Sequence, residues 1–462
     1  MSKKKSKSIA ALPVMRRDVA GVDIGSTQHW VAAPQSEPDT PNVRVFGTTT
    51  GALEELIDWL ASLGVKSVAM ESTSVYWIPL YELLEARGIE AVLVNARHLR
   101  NVPGRKTDMR DCQWIQTLHS CGLLMGSFRP PGQIARVRAI HRQQGNLVRE
   151  RTRAVQWMQK ALDQMNVQVH RAVADITGTT GMAIVRAIVA GVRDPNKLAE
   201  LRDARCAKPQ DVIAKHLRGT WRDEHLFNLG SALRLYDFVT SEIERYDRLL
   251  DDELVLLESE EHHDQSPPPL PNKVKEKKII REDKAERRDR LFRVAGVDLT
   301  RIDGIGVDAA STIIDELGPD LSAFPTEHHF VSWLRLCPNQ AYSAGVPLPK
   351  KRKNGMGSSR VASVLRMAAT TLARSNTALG AYYRRISQRK DAAVAILATA
   401  RKLACLVYRA LRYGTEYTDQ GAEAYERLHQ ERRLKSLKHA AQTLGFDLVP
   451  TAPTEALAAS VA

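Results

Sequence analysis

The sequence predicts an α/β region with a mixed sheet at the N-terminus, followed by a largely helical remainder. Three observations predict it. Residues 18–126 alternate short apolar runs with stretches of helical periodicity. Residues 133–258 carry long runs of apolar residues at spacings near multiples of three and four. After residue 290 the pattern stays helical around a Gly-Ile-Gly turn.

The N-terminal elements follow in order. Val19 to Ile24 reads as a short apolar strand, turned by Gly25, Ser26 and Thr27, and His29 to Ala33 returns as a second. Val43 to Thr48 is a third. Ala52 to Leu63 places Leu53, Leu56, Ile57 and Leu60 on one side of a helix. Val65 to Met70 is a fourth strand with Glu71 at its end, Ile78 to Ala86 a helix, and Ile89 to Val94 a fifth strand. Three successive strands, then strands alternating with helices, give a mixed sheet.

The 462 residues are enough for two or three domains. The 67 Lys and Arg against 53 Asp and Glu leave a surplus of +14, which points to nucleic acid before any other partner; the plain alternative is a generally basic surface. No stretch approaches the ~18 uninterrupted apolar residues of a membrane span. The basic start Met1-Ser-Lys-Lys-Lys has no apolar segment after it and reads as a disordered arm rather than a secretory signal. The five cysteines form no C-x-x-C pair, so a reducing cytoplasm is expected, with neither a zinc knuckle nor a disulfide framework.

The chemistry centres on Gly104 to Trp114, G-R-K-T-D-M-R-D-C-Q-W. With Thr107 as N-cap, Asp108 and Asp111 fall one turn apart on one helix face. Two carboxylates so placed repel, by about 4 kcal/mol at 4 Å and an effective dielectric of 20, unless a cation lies between them. The bland reading is a solvated first turn that suits the helix dipole. Asp23 on the first strand and Glu71 at the end of the fourth shift the balance, because strand ends of open α/β sheets gather at one edge. Four hard oxygen donors favour Mg²⁺ or Mn²⁺ over zinc, and two such ions serve phosphoryl transfer.

In the middle region, Leu229, Ala232, Tyr236, Val239, Ile243, Tyr246, Leu250 and Leu257 keep a heptad, broken at Glu253. A coiled coil and an intrachain pair of amphipathic helices are equally compatible with it. The arginines of the preceding helix, among them Arg142 and Arg149, form either a solvated face or the lining of a nucleic-acid groove. Residues 259–290, with Ser266-Pro-Pro-Pro-Leu-Pro and a run of charge, read as a partly disordered linker and a domain boundary. Beyond it, Gly304 and Gly306 fit the turn of a helix-hairpin-helix whose second helix offers its N-terminus to phosphate, or an ordinary helical hairpin. Ser343 lies in a loop ahead of Lys350, Lys351, Arg352 and Lys353. It is a polar loop residue or a nucleophile stabilised by those charges. Residues 420–462, a charged helix and an Ala/Pro/Thr tail, suggest no chemistry.

The order D, E, D-x-x-D on this strand pattern resembles the RuvC-like branch of the ribonuclease H fold. G-V-D-I-G-S-T, A-M-E-S-T-S-V-Y-W and N-A-R-H-L-R-N-V-P-G-R-K-T-D-M-R-D resemble the N-terminal half of the DEDD-type insertion-sequence transposases of the IS110 family, the bridge-RNA-guided recombinases. The block from Trp333 to Ala369 resembles their C-terminal half, in which a serine before glycine attacks DNA. Ser343 matches that serine, although Ala344 stands where glycine is usual and Gly345 comes one place later; Ser358 and Ser359 are the alternatives.

The resemblance implies a RuvC-like metal domain at 18–130, a helical coiled-coil linking region at 131–258, the charged linker at 259–290, a C-terminal transposase domain at 291–418 and a terminal helix and tail at 419–462. It implies Asp23, Glu71, Asp108 and Asp111 as Mg²⁺ (or Mn²⁺) ligands and Ser343 as the nucleophile forming a phosphoserine link. It also implies DNA ends and target as substrates, a structured non-coding bridge RNA as guide, and a dimer or tetramer. Arg105, Lys106, Arg142, Arg149, Gly304, Gly306 and Lys350 to Lys353 are the nucleic-acid candidates. Two rival readings are a RuvC-like structure-specific nuclease that uses water and a non-enzymatic nucleic-acid-binding protein.

Overall fold

The computed structural model describes residues 13–35, 42–72, 74–94, 108–271, 273–281, 284–337, 342–343, 346–347 and 359–449. The chain divides into two compact units, Met1–Arg129 and Pro130–Ala462.

The first unit contains β1 (Val19–Ile24), β2 (Gln28–Ala32), β3 (Val43–Gly47), α1 (Thr50–Ser62), β4 (Ser67–Glu71), α2 (Ile78–Ala86), β5 (Glu90–Val94) and α3 (Asp108–Ser120). The sheet order is β3-β2-β1-β4-β5. β1 pairs antiparallel with β2, and β2 with β3, while β4 pairs parallel with both β1 and β5. The mixed sheet expected from the sequence is therefore present, each strand lying within two residues of its expected bounds. Strand alternation sorts the side chains. Ala20, Val22, Ile24, Val68 and Met70 pack with Leu53, Leu56, Ile57 and Leu60 of α1 and Leu80 and Leu84 of α2. The opposite face, carrying Ala69 and Val94, meets Ile115 and Leu118 of α3. Thr49 caps α1, its hydroxyl accepting from Ala52 N at 3.4 Å.

The second unit is built on two helices of 33 residues, α4 (Gly132–Gln164) and α9 (Asp223–Val255). They run antiparallel: Gln133 Nε2 donates to Leu256 O at 3.1 Å, Arg136 pairs with Glu253 at 2.7 Å, and Gln144 Nε2 donates to Asp247 Oδ1 at 2.6 Å. The heptad of α9 thus packs against α4 within the chain. Glu253, the residue that breaks the apolar pattern, is 4 % exposed and has its charge matched by Arg136. Four short helices lie between them in sequence, α5 (Val169–Ala172), α6 (Thr179–Val189), α7 (Pro195–Glu200) and α8 (Gln210–His216). Ile184, Val185, Ile188, Leu198, Ile213 and Leu217 form a core with Met158 and Leu162 of α4 and Leu229 of α9.

The expected disordered linker at 259–290 needs correction. It contains α10 (Lys273–Arg281) and the start of α11 (Ala285–Ala295). Its charges have partners: Arg290 pairs with Asp251 at 2.8 Å, Arg288 with Asp298 at 2.5 Å, Lys275 with Asp303 at 3.4 Å. Leu291, Phe292 and Val294 bury one face of α11. A charge run looks unstructured in sequence because its counter-charges sit on other elements. Residues 259–290 lie within the second unit, Pro130–Ala462.

The remaining elements are α12 (Val307–Leu317), α13 (Glu327–Trp333), a hairpin of β6 (Tyr342–Ser343) and β7 (Val346–Pro347), α14 (Arg360–Thr371), α15 (Ala378–Arg389), α16 (Ala392–Tyr413) and α17 (Ala422–Thr443). Phe330 of α13 and Tyr408 of α16 are fully buried, and the Tyr408 hydroxyl donates to Phe324 O at 2.8 Å. Glu316 of α12, a buried residue, meets Arg138 at 2.9 Å, Arg142 at 2.7 Å and Arg360 at 3.5 Å. Burial alone would raise its pKa, but the Arg142 hydrogen bond and the charges of Arg142, Arg138 and Arg360 hold it below the ordinary value. No helix among the described residues is long and apolar enough to cross a membrane.

Candidate active site

The acidic edge of the sheet is built by two strands and one helix. On β1, Val19, Gly21 and Asp23 share a face, and on β4 so do Ser67, Ala69 and Glu71. The parallel register pairs Gly21 with Ala69 and Val22 with Met70, so Asp23 and Glu71 are the next residues along neighbouring strands. Such strands lie about 4.8 Å apart.

α3 lies across this face. A Cβ at Gly21 would fall 2.3 Å from Gln116 N and 2.4 Å from Cys112 O, a separation no side chain tolerates. Only glycine lets the helix backbone approach the strand so closely. The helix runs opposite to β1 and β4. At its C-terminal end, His119 Nε2 meets the Ser67 hydroxyl at 2.8 Å, and Ser120 O accepts from Met15 N at 2.8 Å and Arg16 N at 3.0 Å. In the middle, Gln116 Nε2 donates to Val19 O at 3.2 Å. Its first turn, with Asp111 and Cys112, is therefore at the end of β1 where Asp23 stands. Burial pushes the Cys112 thiol up to about 12, and the charges of Asp23 and Asp111 add to the shift. The oxygen donors that share the edge suit a hard divalent cation. Among the described residues no group of three His, Cys, Asp or Glu closes to metal-binding distance. The side chain of Asp108, the fourth acid, lies outside the described residues, as does Thr107.

The other candidates divide. Ser343 pairs in backbone register with Val346 in the short β6–β7 hairpin, where a loop was expected; its side chain lies outside the described residues. Arg105, Lys106, Lys350, Lys351, Arg352, Lys353 and Ser358 also lie outside them, while Ser359 stands just before α14. Arg142 is held by Glu316 through two hydrogen bonds, from Nε at 2.9 Å and from Nη2 at 2.7 Å, so its guanidinium is part of the helix packing. Arg149 is exposed on α4.

Gly304 adopts φ +85°, and a Cβ there would fall 3.0 Å from Ala368 O, so the turn packs tightly on α14. Gly306 is exposed and precedes α12. The element before the turn is a single 3₁₀ turn, Leu299–Arg301, held by Asp298 accepting from Thr300 N at 2.9 Å, rather than the helix expected there.

Residues 20–167 match the model of DEDD-type IS110 transposases, and residues 298–384 match the model described as the transposase IS116/IS110/IS902 family. The two matches together cover about half of the chain. The chain belongs to the IS110 family of transposases. As a transposase it binds DNA and cuts and rejoins it. No curated protein matches the chain. The first match contains Asp23, Glu71, Asp108 and Asp111, and the second contains Ser343; α17 of the transposase lies outside both.

Gly21, Gln116 and His119, which fix α3 on the sheet, were not singled out by the sequence reading. A signal was there. Gly21 stands two residues before Asp23, and Ala69 two before Glu71. Small residues on the acid-bearing face of two adjacent strands leave room for a helix.

Proposed function

We propose that the transposase works through a RuvC-like metal centre of ribonuclease H type and a serine nucleophile. Asp23, Glu71, Asp108 and Asp111 would hold Mg²⁺, with Mn²⁺ as substitute. The observation that carries this is the backbone contact at Gly21, which supports a shared edge for Asp111, Asp23 and Glu71. The bound ion would supply Lewis-acid stabilisation of charge on phosphate oxygens. The acids of this chain would orient that ion.

Ser343 is the proposed nucleophile, joined to DNA through a phosphoserine. A bridge RNA as guide and a dimer or tetramer as the working assembly follow from the family resemblance. The test is Asp111→Asn, which removes a charge and keeps the shape. Strand exchange in Mg²⁺ should fall by at least about three orders of magnitude, as for groups acting directly in catalysis, while the protein stays folded and binds DNA. Full activity in Asp111→Asn overturns the metal centre.

A further inference from the structure

α15, α16 and α17 enclose a groove of about 920 Å³. It is lined by Arg385 and Arg389 of α15, Lys402 of α16, and Arg432 and Arg433 of α17. No carboxylate lines it, and among the described residues none of these five cations is in an ion pair. A run of charge on a helix is usually a solvated face, but three features set this one apart. The cations come from three elements and converge on one concavity. Elsewhere in the same unit, comparable arginines are matched by acids, as at Glu316 and Asp251. Arg385 Nε is also buried with no hydrogen-bond partner. Bringing five like charges together without counter-charge costs free energy in the unbound chain. Partial desolvation, then the charges of Arg385 and Arg432, hold the Lys402 ammonium below its ordinary pKa.

The aromatic residues define what the groove reads. Lys402 lies 4.7 Å from the Tyr382 ring and 5.6 Å from that of Tyr425, and Arg385 lies 5.5 Å from each. Cation–π contact therefore already engages these rings, which hold the inner cations in place rather than offering platforms for bases. We propose that this groove is a sequence-independent binding site for the phosphodiester backbone of nucleic acid, outside both segments that match the family. The inference rests on the reading of the chain as a nucleic-acid enzyme. Arg385 and Lys402 form its floor, and the exposed Arg432 and Arg433 form its rim. Its chemistry suits the backbone of either DNA or RNA.

The test uses the full chain and three labelled 30-nucleotide probes of arbitrary sequence: duplex DNA, single-stranded DNA and single-stranded RNA. Affinity is measured by fluorescence anisotropy across a KCl series. Arg432→Gln with Arg433→Gln should leave the melting temperature unchanged, because both residues are exposed. It should weaken binding at least about ten-fold at low salt and flatten the log–log salt slope by about 1.8 for a duplex or about 1.4 for a single strand. The probe whose slope flattens identifies the backbone held. Lys197→Gln with Arg248→Gln removes two exposed cations that do not line the groove and should leave the slope unchanged. Wild-type slopes in the groove variant for all three probes, or an equal loss in the control, overturn the site. A wild-type chain that binds none of the probes overturns instead the nucleic-acid reading on which the proposal rests.

Discussion

In the N-terminal unit the buried ionisable groups include two imidazoles, His29 at 1 % exposure and His119 at 6 %, and burial lowers the pKa of both. In the C-terminal unit they include three carboxylates, Glu253, Asp315 and Glu316, each within 4 % exposure and each beside basic side chains. The first unit holds its elements together by shape: strands that alternate cleanly, and a helix whose backbone touches a strand at a glycine. The second holds long helices together by matched charge as well as apolar contact. The two should therefore fail under different insults, and the proposed catalytic edge depends on the first kind of packing.

The largest effect is expected from shape. Gly21→Val places carbon within 2.4 Å of backbone atoms of α3 that cannot move aside singly. The helix must lift from the sheet, at a cost of about 3 kcal/mol or more for overpacking of this severity. Strand exchange should vanish with it, because Asp111 moves with the helix. Urea denaturation and a recombination assay check both halves. A stable, active Gly21→Val chain would show that α3 does not position the site.

The next effect is from charge. Glu316→Ala leaves Arg138, Arg142 and Arg360 without their shared acid. Breaking a buried pair costs about 3–5 kcal/mol. The lower end applies here, because the Arg142 side chain is 43 % exposed and can recover water. Denaturation should reveal a loss near about 3 kcal/mol in the C-terminal unit alone. A neutral Glu316→Ala would mean that apolar packing, not charge, joins α4 to α12.

These contrasts explain what was legible in the sequence. Apolar alternation and helical spacing report which face of an element is buried, so β1 to β5, α1 and α2 were readable almost to the residue. The strand-end positions of Asp23 and Glu71, and the place of Asp111 on α3, were readable from the same spacing. What spacing alone does not report is where a counter-charge lies. Lys275, Arg288 and Arg290 find their acids at Asp303, Asp298 and Asp251, on other parts of the chain, so a packed pair of helices read as a linker. For the same reason Arg142 read as a free cation, while Glu316 that holds it is 174 residues away. The basic groove was invisible because its five cations come from three helices.

The smallest expected effect separates the units by pH. His29 and His119 have folded pKa values below the unfolded 6.5; for His119, burial and then Arg16 outweigh Glu90 and Asp18. Between the folded and unfolded values the unfolded chain binds more protons, so the N-terminal unit loses stability as pH falls below about 6.5. Glu316 is depressed from 4.5, so its contribution is complete above that value and is lost only as pH falls through its lower folded pKa. Hydrogen exchange at pH 7.5 and 5.5, corrected for intrinsic rates, should show protection falling in β1, β4 and α3 and holding in α4 and α12. Equal losses in both units would contradict the contrast.

In the proposed reaction this transposase rejoins DNA through a serine. The most direct measurement offers it a nicked suicide DNA in Mg²⁺, traps the stalled reaction, digests the protein and locates the nucleotide by mass spectrometry. One nucleotide-bearing peptide, modified at Ser343, is expected, and none from Ser343→Ala. Modification at Ser358 or Ser359 would contradict the assignment of the nucleophile, and cleavage with no protein–DNA link would contradict the serine mechanism itself.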